Sequence, residues 1–295
     1  MPTLPRLFID TLELTIPVDD DQKEAVQDRL NDASEHWLDS LTSHPPQGRY
    51  AYRYKLEVPN GGTVTIKAGP ARQAANYLKL EYKPDQVGAN GASALAEYLS
   101  FVLGETYRDD FYLGNVNRID ITFDTHRVPI ENYWVEDLRA GMKSSLIRGT
   151  SQQLETVYLG YKSRREFYVY DKRAETEGRR NDVSLRAPWV RFEYRYVGGD
   201  YPLGDLYRRL KNPYDNFVIR RYSPLPNLME GHMARWLFDA CRLRGKAQIL
   251  GVTPENFRDD VDRAIKAFPT SEIWQRRKAI WYQLEQRIGN LLPHV

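Results

Sequence analysis

The sequence predicts an α+β protein made of two ferredoxin-like halves with largely antiparallel sheet, followed by a helical C-terminal subdomain. Two observations carry this expectation: segments of period-two alternation recur between residues 7 and 197 with helical-period segments between them, and strand signals stop after Leu228. Residues Leu7 to Ile16 alternate around Phe8, Leu12, Leu14 and Ile16 as a strand. An acidic helix start at 18–21 and an amphipathic segment to Leu38 follow. Strands at Tyr50 to Val58 and Thr63 to Ala68 flank Pro59-Asn60-Gly61-Gly62, a hairpin signal because Asn and Gly accept positive φ. A strand at Asn76 to Tyr82, a turn at Val87 to Gly91, a helix through Leu95, Leu99, Val102 and Leu103, and a strand at Asn115 to Asp124 complete the first half. The resulting order, β-α-β-β-β-α-β, is an elaborated ferredoxin-like pattern with helices on one sheet face and the other face free.

A second half is expected to begin with a helix from Ile130 to Met142, then strands at Glu155 to Leu159, Glu166 to Tyr170 and Trp189 to Val197, and a short helix near Leu203 to Leu210. Helices at Met229 to Leu243, Pro254 to Phe268 and Ser271 to Leu292 form the tail. The expected organisation is therefore an α+β region over 1–227, in halves of about 1–127 and 128–227, and a helical subdomain or lid over 228–295.

With 295 residues, 41% of them hydrophobic, and 42 Lys+Arg against 40 Asp+Glu, the chain has material for a globular core and almost no net charge. No apolar stretch approaches the roughly 20 residues of a membrane span, and the first residues lack the basic and apolar regions of a secretory signal, so the cytoplasm is the expected location and no membrane partner is expected. A single cysteine, Cys241, excludes an intrachain disulfide, and five scattered histidines make a thiolate or imidazole metal cluster unexpected. Any metal would sit on oxygens. Basic residues cluster among aromatics: nine against five acids between Lys162 and Arg191, and Arg208, Arg209, Lys211, Arg220 and Arg221 against Asp215 alone between Leu206 and Tyr222. Such clusters suit a polyanion, since cations neutralise phosphates and rings stack on bases; a solvated basic face is the plainer alternative.

The sharpest chemical signal is polar alternation on three strands. Arg118, Asp120, Thr122 and Asp124 share one strand face, Arg191, Glu193 and Arg195 another, and Glu166, Tyr168 and Tyr170 a third, with Asp171-Lys172 following. Strands of this kind also occur as solvent-facing strands laced by cross-strand ion pairs. If the strands are neighbours, Asp120, Asp124 and Glu193 would converge on a divalent cation, Mg²⁺ or Mn²⁺, while Arg118, Arg191, Arg195 and Lys172 hold phosphate oxygens.

The ordered set Arg118-x-Asp120-x-x-x-Asp124, Thr156-Val-Tyr-Leu-Gly160, Tyr168-Val-Tyr-Asp-Lys172 and Trp189-Val-Arg-Phe-Glu193-Tyr-Arg195 resembles the Rep-trans replication initiation factors. These are nicking proteins of rolling-circle plasmids, filamentous phages and some integrative elements. Ile9-Asp-Thr-Leu-Glu-Leu-Thr15 is similar to that family's opening strand, so the likeness spans roughly Leu7 to Tyr196 and leaves the helical tail outside it. Where the family often has Gly-Ser-Arg or Gly-Ser-Lys, this chain has Gly160-Tyr161-Lys162, which keeps a basic position for phosphate contact.

The resemblance implies that Tyr170 is the nucleophile of a DNA nicking and closing reaction, with Lys172 and Arg191 as catalytic cations and Tyr168 as the competing tyrosine. It also implies a 5′-phosphotyrosine intermediate, a free 3′-hydroxyl, a double-stranded origin with exposed single strand, a helicase partner and a homodimer. Conjugative relaxation would use the same chemistry, and a noncatalytic nucleic-acid-binding platform would use the same rings and cations. No His-hydrophobe-His triplet and no Gly-rich loop followed by Lys-Ser/Thr occurs, so imidazole-metal nicking and ATP hydrolysis are not expected. Gln275-Arg-Arg-Lys278, Trp274 and Trp281 are further candidates for origin contact, although tryptophans seven apart on a helix are more often a packing stripe.

Overall fold

The computed structural model describes residues 4–37, 40–45, 50–59, 61–70, 77–126, 128–139, 144–148, 154–160, 163–179, 188–225 and 227–292. Its contacts form two compact units. Leu7–Thr122, Arg195–Lys211 and Tyr282–Val295 make an N-terminal unit; Met1–Arg6, Phe123–Tyr194 and Asn212–Trp281 make a C-terminal unit. The α+β class read from the sequence is the class observed, with a large antiparallel sheet and a helical C-terminal region.

The N-terminal unit begins with β1 (Leu7–Pro17), α1 (Lys23–His36), β2 (Leu41–His44), β3 (Tyr50–Glu57), β4 (Thr63–Pro70) and β5 (Tyr77–Tyr82), and continues through α2 (Pro84–Leu103), α3 (Tyr107–Leu113) and β6 (Asn115–Thr125), whose last three residues belong to the other unit. The strands lie in the order β2-β3-β4-β5-β1-β6. The antiparallel registers place Leu14 opposite Leu80 and Ile66 opposite Leu80, so the apolar residues of three strands share one face. On that face α2 packs over β1, burying Leu95, Leu99 and Val102, and α1 adds Val26, Leu30 and Ala33. Period-two burial on the strands and period-3.6 burial on the helices are the same demand, one dry layer, expressed in two backbones.

The turn expected at Val87 to Gly91 is present as a break at Gly88, where the backbone is non-helical and two helical pieces meet. Pro84, which needs no intrahelical partner for its missing N–H, starts α2, and Gly88 then takes φ 62° and kinks it. The hairpin between β3 and β4 is as expected, with Gly61 at φ 79° and Val58 N–H donating to the Gly62 carbonyl at 2.9 Å.

The C-terminal unit contains β7 (Tyr133–Asp137), β8 (Ser144–Arg148), β9 (Leu154–Leu159), β10 (Arg165–Asp171), α4 (Lys172–Arg179) and β11 (Val190–Val197), the last crossing into the N-terminal unit at Arg195. The short α5 (Leu206–Arg209) belongs to the N-terminal unit. Then come β12 (Phe217–Arg221), α6 (Gly231–Arg244), α7 (Lys246–Val252), α8 (Arg258–Ala267), α9 (Glu272–Gln275) and α10 (Arg277–Gly289), which enters the N-terminal unit at Tyr282. Strands β11-β10-β9-β8 are consecutive neighbours, and β12 pairs with β7 in a separate two-stranded sheet.

That second sheet corrects the helix expected over Ile130 to Met142 as far as residue 139; 140–142 lie outside the described residues. Ile130–Asn132 is a single 3₁₀ turn and the chain then extends, because Tyr133-Trp-Val suits a pleated surface and β12 offers a partner: Trp134 lies opposite Arg220 and Val135 opposite Ile219. The strand orders do not establish two ferredoxin-like halves. Against β7 packs the apolar side of α6, with α7 and α8 packed on α6, and Trp134, Leu237, Phe238, Ile265 and Phe268 are buried in one cluster. None of the described helices is long and apolar enough to cross a membrane.

Aromatic rings fill the sheet core of this unit. Phe192 stacks on Phe123 at 5.0 Å and meets Tyr133 edge-on at 5.4 Å, while Phe167 stacks on Phe217 at 4.5 Å. Phe192→Ala should therefore destabilise the C-terminal unit by about 3–5 kcal/mol, read as a lower midpoint of chemical denaturation followed by near-ultraviolet circular dichroism.

Candidate active site

Three neighbouring strands bring the polar faces of the C-terminal unit together. The core side of β11 is Val190, Phe192 and Tyr194; the opposite side carries Arg191 and Glu193, only 7% and 6% exposed. These strands are thus not the solvent-facing kind. Charges at such depth persist only when paired, and each has a partner. Arg191 grips Asp124 on β6 with both prongs, Nε to Oδ1 at 2.8 Å and Nη2 to Oδ2 at 2.9 Å. Glu193 accepts the Tyr170 hydroxyl from β10, Oη to Oε2 at 3.1 Å.

Tyr170 is half-buried at the end of its strand, where Asp171 accepts the backbone N–H groups of Arg173 and Ala174 and so caps the start of α4. Lys172 lies with its ammonium 5.7 Å from the centre of the Tyr170 ring and 2.6 Å from Glu175 Oε2. Tyr168, the competing tyrosine, is only 8% exposed, donates to Glu166 and meets Tyr158 edge-on at 4.9 Å. A phenol donating to a carboxylate has a proton acceptor in place, the arrangement of a nucleophile beside its base. Tyr170 has this with a carboxylate from another strand, and its cation is close by.

The remaining predicted residues gather in the N-terminal unit. Asp120, 1% exposed, is held by two guanidinium forks: Arg195 at 2.9 and 3.0 Å, and Arg118, whose Nε lies 3.1 Å away and whose Nη2 also donates. Alternating charges continue outward from there. Arg118 is 3.8 Å from Glu13, Glu13 is 2.8 Å from Lys79, and Lys79 and Lys67 both lie 2.8 Å from Glu81. Burial acts to raise the Glu81 carboxyl, but the hydrogen bonds and charges of Lys67 and Lys79 outweigh it and hold the group below its ordinary value.

Arg208 and Arg209 on α5 stand exposed without an ion-pair partner among the described residues. Lys162 lies outside the described residues. Of the tail candidates, Trp281 is buried against Tyr214, whereas Trp274 carries the Arg277 guanidinium at 4.0 Å, and the helix breaks between them at Arg276. Cys241 is fully buried and burial pushes its thiol up to about 12, which removes it as a nucleophile at neutral pH.

Asp120, Asp124 and Glu193 offer only oxygen donors, the kind Mg²⁺ and Mn²⁺ take. Asp120 and Asp124 direct both carboxylate oxygens to guanidinium groups, and no group of three or more His, Cys, Asp or Glu among the described residues is placed to hold an ion. An ion would have to displace those arginines.

The sequence reading did not single out a ring pair at this site. His126 and Trp189 lie 5.5 Å apart, at the next step of the polar alternation beyond Asp124 and Arg191. Period-two counting from either residue points to it.

No model of a known protein family matches this chain, and none of the curated proteins does.

Two outcomes test the electrostatics. Arg191→Met should cost about 3–5 kcal/mol, because Asp124 is left partly buried without its cation, while Arg191→Met with Asp124→Leu should recover most of the loss; thermal denaturation of both variants measures this. Glu81 contributes stability above its ordinary carboxylate range that is lost as pH falls through the depressed folded value. Glu81→Gln should flatten the loss of stability below about pH 4, seen in denaturation midpoints across pH.

Proposed function

We propose that the protein is a DNA strand transferase that opens and rejoins one strand through Tyr170, the chemistry of rolling-circle replication initiators. The observation that carries the reading is the Tyr170 hydroxyl on Glu193 at 3.1 Å. A phenol titrates near 10 in water and attacks poorly unless its proton is taken as the bond forms. Glu193 accepts that proton; the Tyr170 oxygen bonds to phosphorus; the phosphorus bond to the 3′-oxygen breaks, and the leaving oxygen takes a proton to become a 3′-hydroxyl. The 5′-phosphotyrosine keeps the ester, so reversal closes the strand.

Lys172 is the cation placed to offset charge on the nonbridging oxygens, with the phosphate replacing Glu175 as its partner. Arg191 holds Asp124 and positions β11, the strand that carries Glu193. Mg²⁺ or Mn²⁺ is the cofactor proposed with this reading, and no step above runs through it. Arg118, Lys162, Arg195, Arg208 and Arg209 are proposed to contact phosphates along the strand. The order of motifs that resembles the Rep-trans factors supports the same reading and adds its partners: an origin with exposed single strand, a helicase and a second copy of the chain.

The test is incubation with supercoiled and single-stranded DNA, with Mg²⁺, Mn²⁺ or chelator, scored for nicks and protein-linked strands. Tyr170→Phe should abolish attachment and leave binding near wild type. Glu193→Gln should reduce attachment by about 10²–10⁴-fold, the range of general-base catalysis. Tyr168→Phe should attach normally; loss with Tyr168→Phe alone would move the nucleophile to that residue. Binding with no attachment in any metal would leave a noncatalytic platform.

A further inference from the structure

We propose that the ring pair of His126 and Trp189 is a stacking subsite for a nucleobase flanking the phosphate that Tyr170 attacks. The inference rests on the strand-transfer reading for its placement, and on the rings themselves for its chemistry.

The pair is positioned by the same alternation as the charged residues. His126 follows the last residue of β6, two beyond Asp124, and Trp189 precedes the first residue of β11, two before Arg191, so the ring contact continues the Asp124–Arg191 contact one step past the strand ends. The ring centres are 5.5 Å apart with planes inclined at 38°. His126 is exposed and Trp189 half-buried, so the imidazole is the open side of the pair and the indole its support. The Trp189 carbonyl accepts the Lys172 N–H at 2.8 Å, which holds the Trp189 backbone beside the chain that carries Tyr170 and Lys172.

Along an extended chain, Trp189 lies four residues, about 13 Å, from Glu193. That offset places the rings beside the reacting phosphate rather than on it, where a neighbouring base of an extended strand would lie. His126 makes no hydrogen bond or ion pair with any described residue, so its exposed ring is not committed to structure. An exposed ring backed by a second ring suits an unpaired base, because every base offers a π face whatever its sequence. Duplex DNA keeps its faces stacked internally, so the subsite selects single strand.

Fluorescein-labelled single-stranded dT30 and a duplex of equal length, titrated by fluorescence anisotropy over a salt series, test this. Wild type and Tyr170→Phe should bind dT30 more tightly than duplex. His126→Ala and Trp189→Ala should each weaken dT30 binding about tenfold, from about 1–3 kcal/mol per stacked base, without changing the slope of log affinity against log salt, since no phosphate contact is lost. His126→Phe should retain wild-type affinity, which separates a ring from a charge. Because Trp189 is half-buried, its variant counts only with unchanged circular dichroism, and exposed His126 supplies the independent measurement. Unchanged dT30 affinity in His126→Ala, or a failure of wild type to bind dT30, overturns the subsite. Weaker binding in both variants with no covalent attachment by wild type keeps the subsite and removes the strand-transfer reading.

Discussion

Charge removed from water must be answered by charge or by a strong donor, and this constraint governs the polar residues of β6 and β11. Asp120, Arg191 and Glu193 sit in mid-strand with almost no exposure. Each would be several kcal/mol unfavourable alone. The fold answers with two arginine forks on Asp120, one on Asp124 and a phenol on Glu193. Planar guanidinium groups meet a carboxylate through two parallel hydrogen bonds, so the cross-strand pairs Arg191–Asp124 and Arg195–Asp120 also fix the register of β6 against β11.

The Tyr170–Glu193 contact differs in kind. Arg191 and Asp124 satisfy each other with two charge-assisted bonds, whereas Glu193 receives a neutral hydroxyl from a half-buried ring that has Lys172 nearby. A phenol donating to a carboxylate has a proton acceptor within reach. The pair is supported from the core side, where Phe192 is locked between Phe123 and Tyr133. A polar couple on one face of β11 therefore depends on aromatic packing on the other.

The alternating charges on β4, β5, β1 and β6 serve the N-terminal unit in another way. Lys67, Glu81, Lys79, Glu13 and Arg118 occupy the sheet face that α1 and α2 leave uncovered, and each cation lies between acids or beside one. Such a network shares the entropy of ordering its long side chains among several contacts.

The sequence by itself determined the strands whose alternation is strong, β1, β3, β4, β6, β10 and β11, because period-two burial is a local property of the chain. It also determined which side of each strand would carry Asp120, Asp124, Tyr170 and Glu193. Weakly patterned or short elements were not legible: β2, β8 and β12 have four or five residues each, α4 is mostly charged, and Tyr133-Trp-Val became a strand only because β12 lies beside it. Tertiary structure alone decided how the polar residues pair. Alternation cannot say that Asp124 meets Arg191, that Asp120 meets Arg195 or that Tyr170 reaches Glu193, since partner choice depends on strand order and register across distant segments.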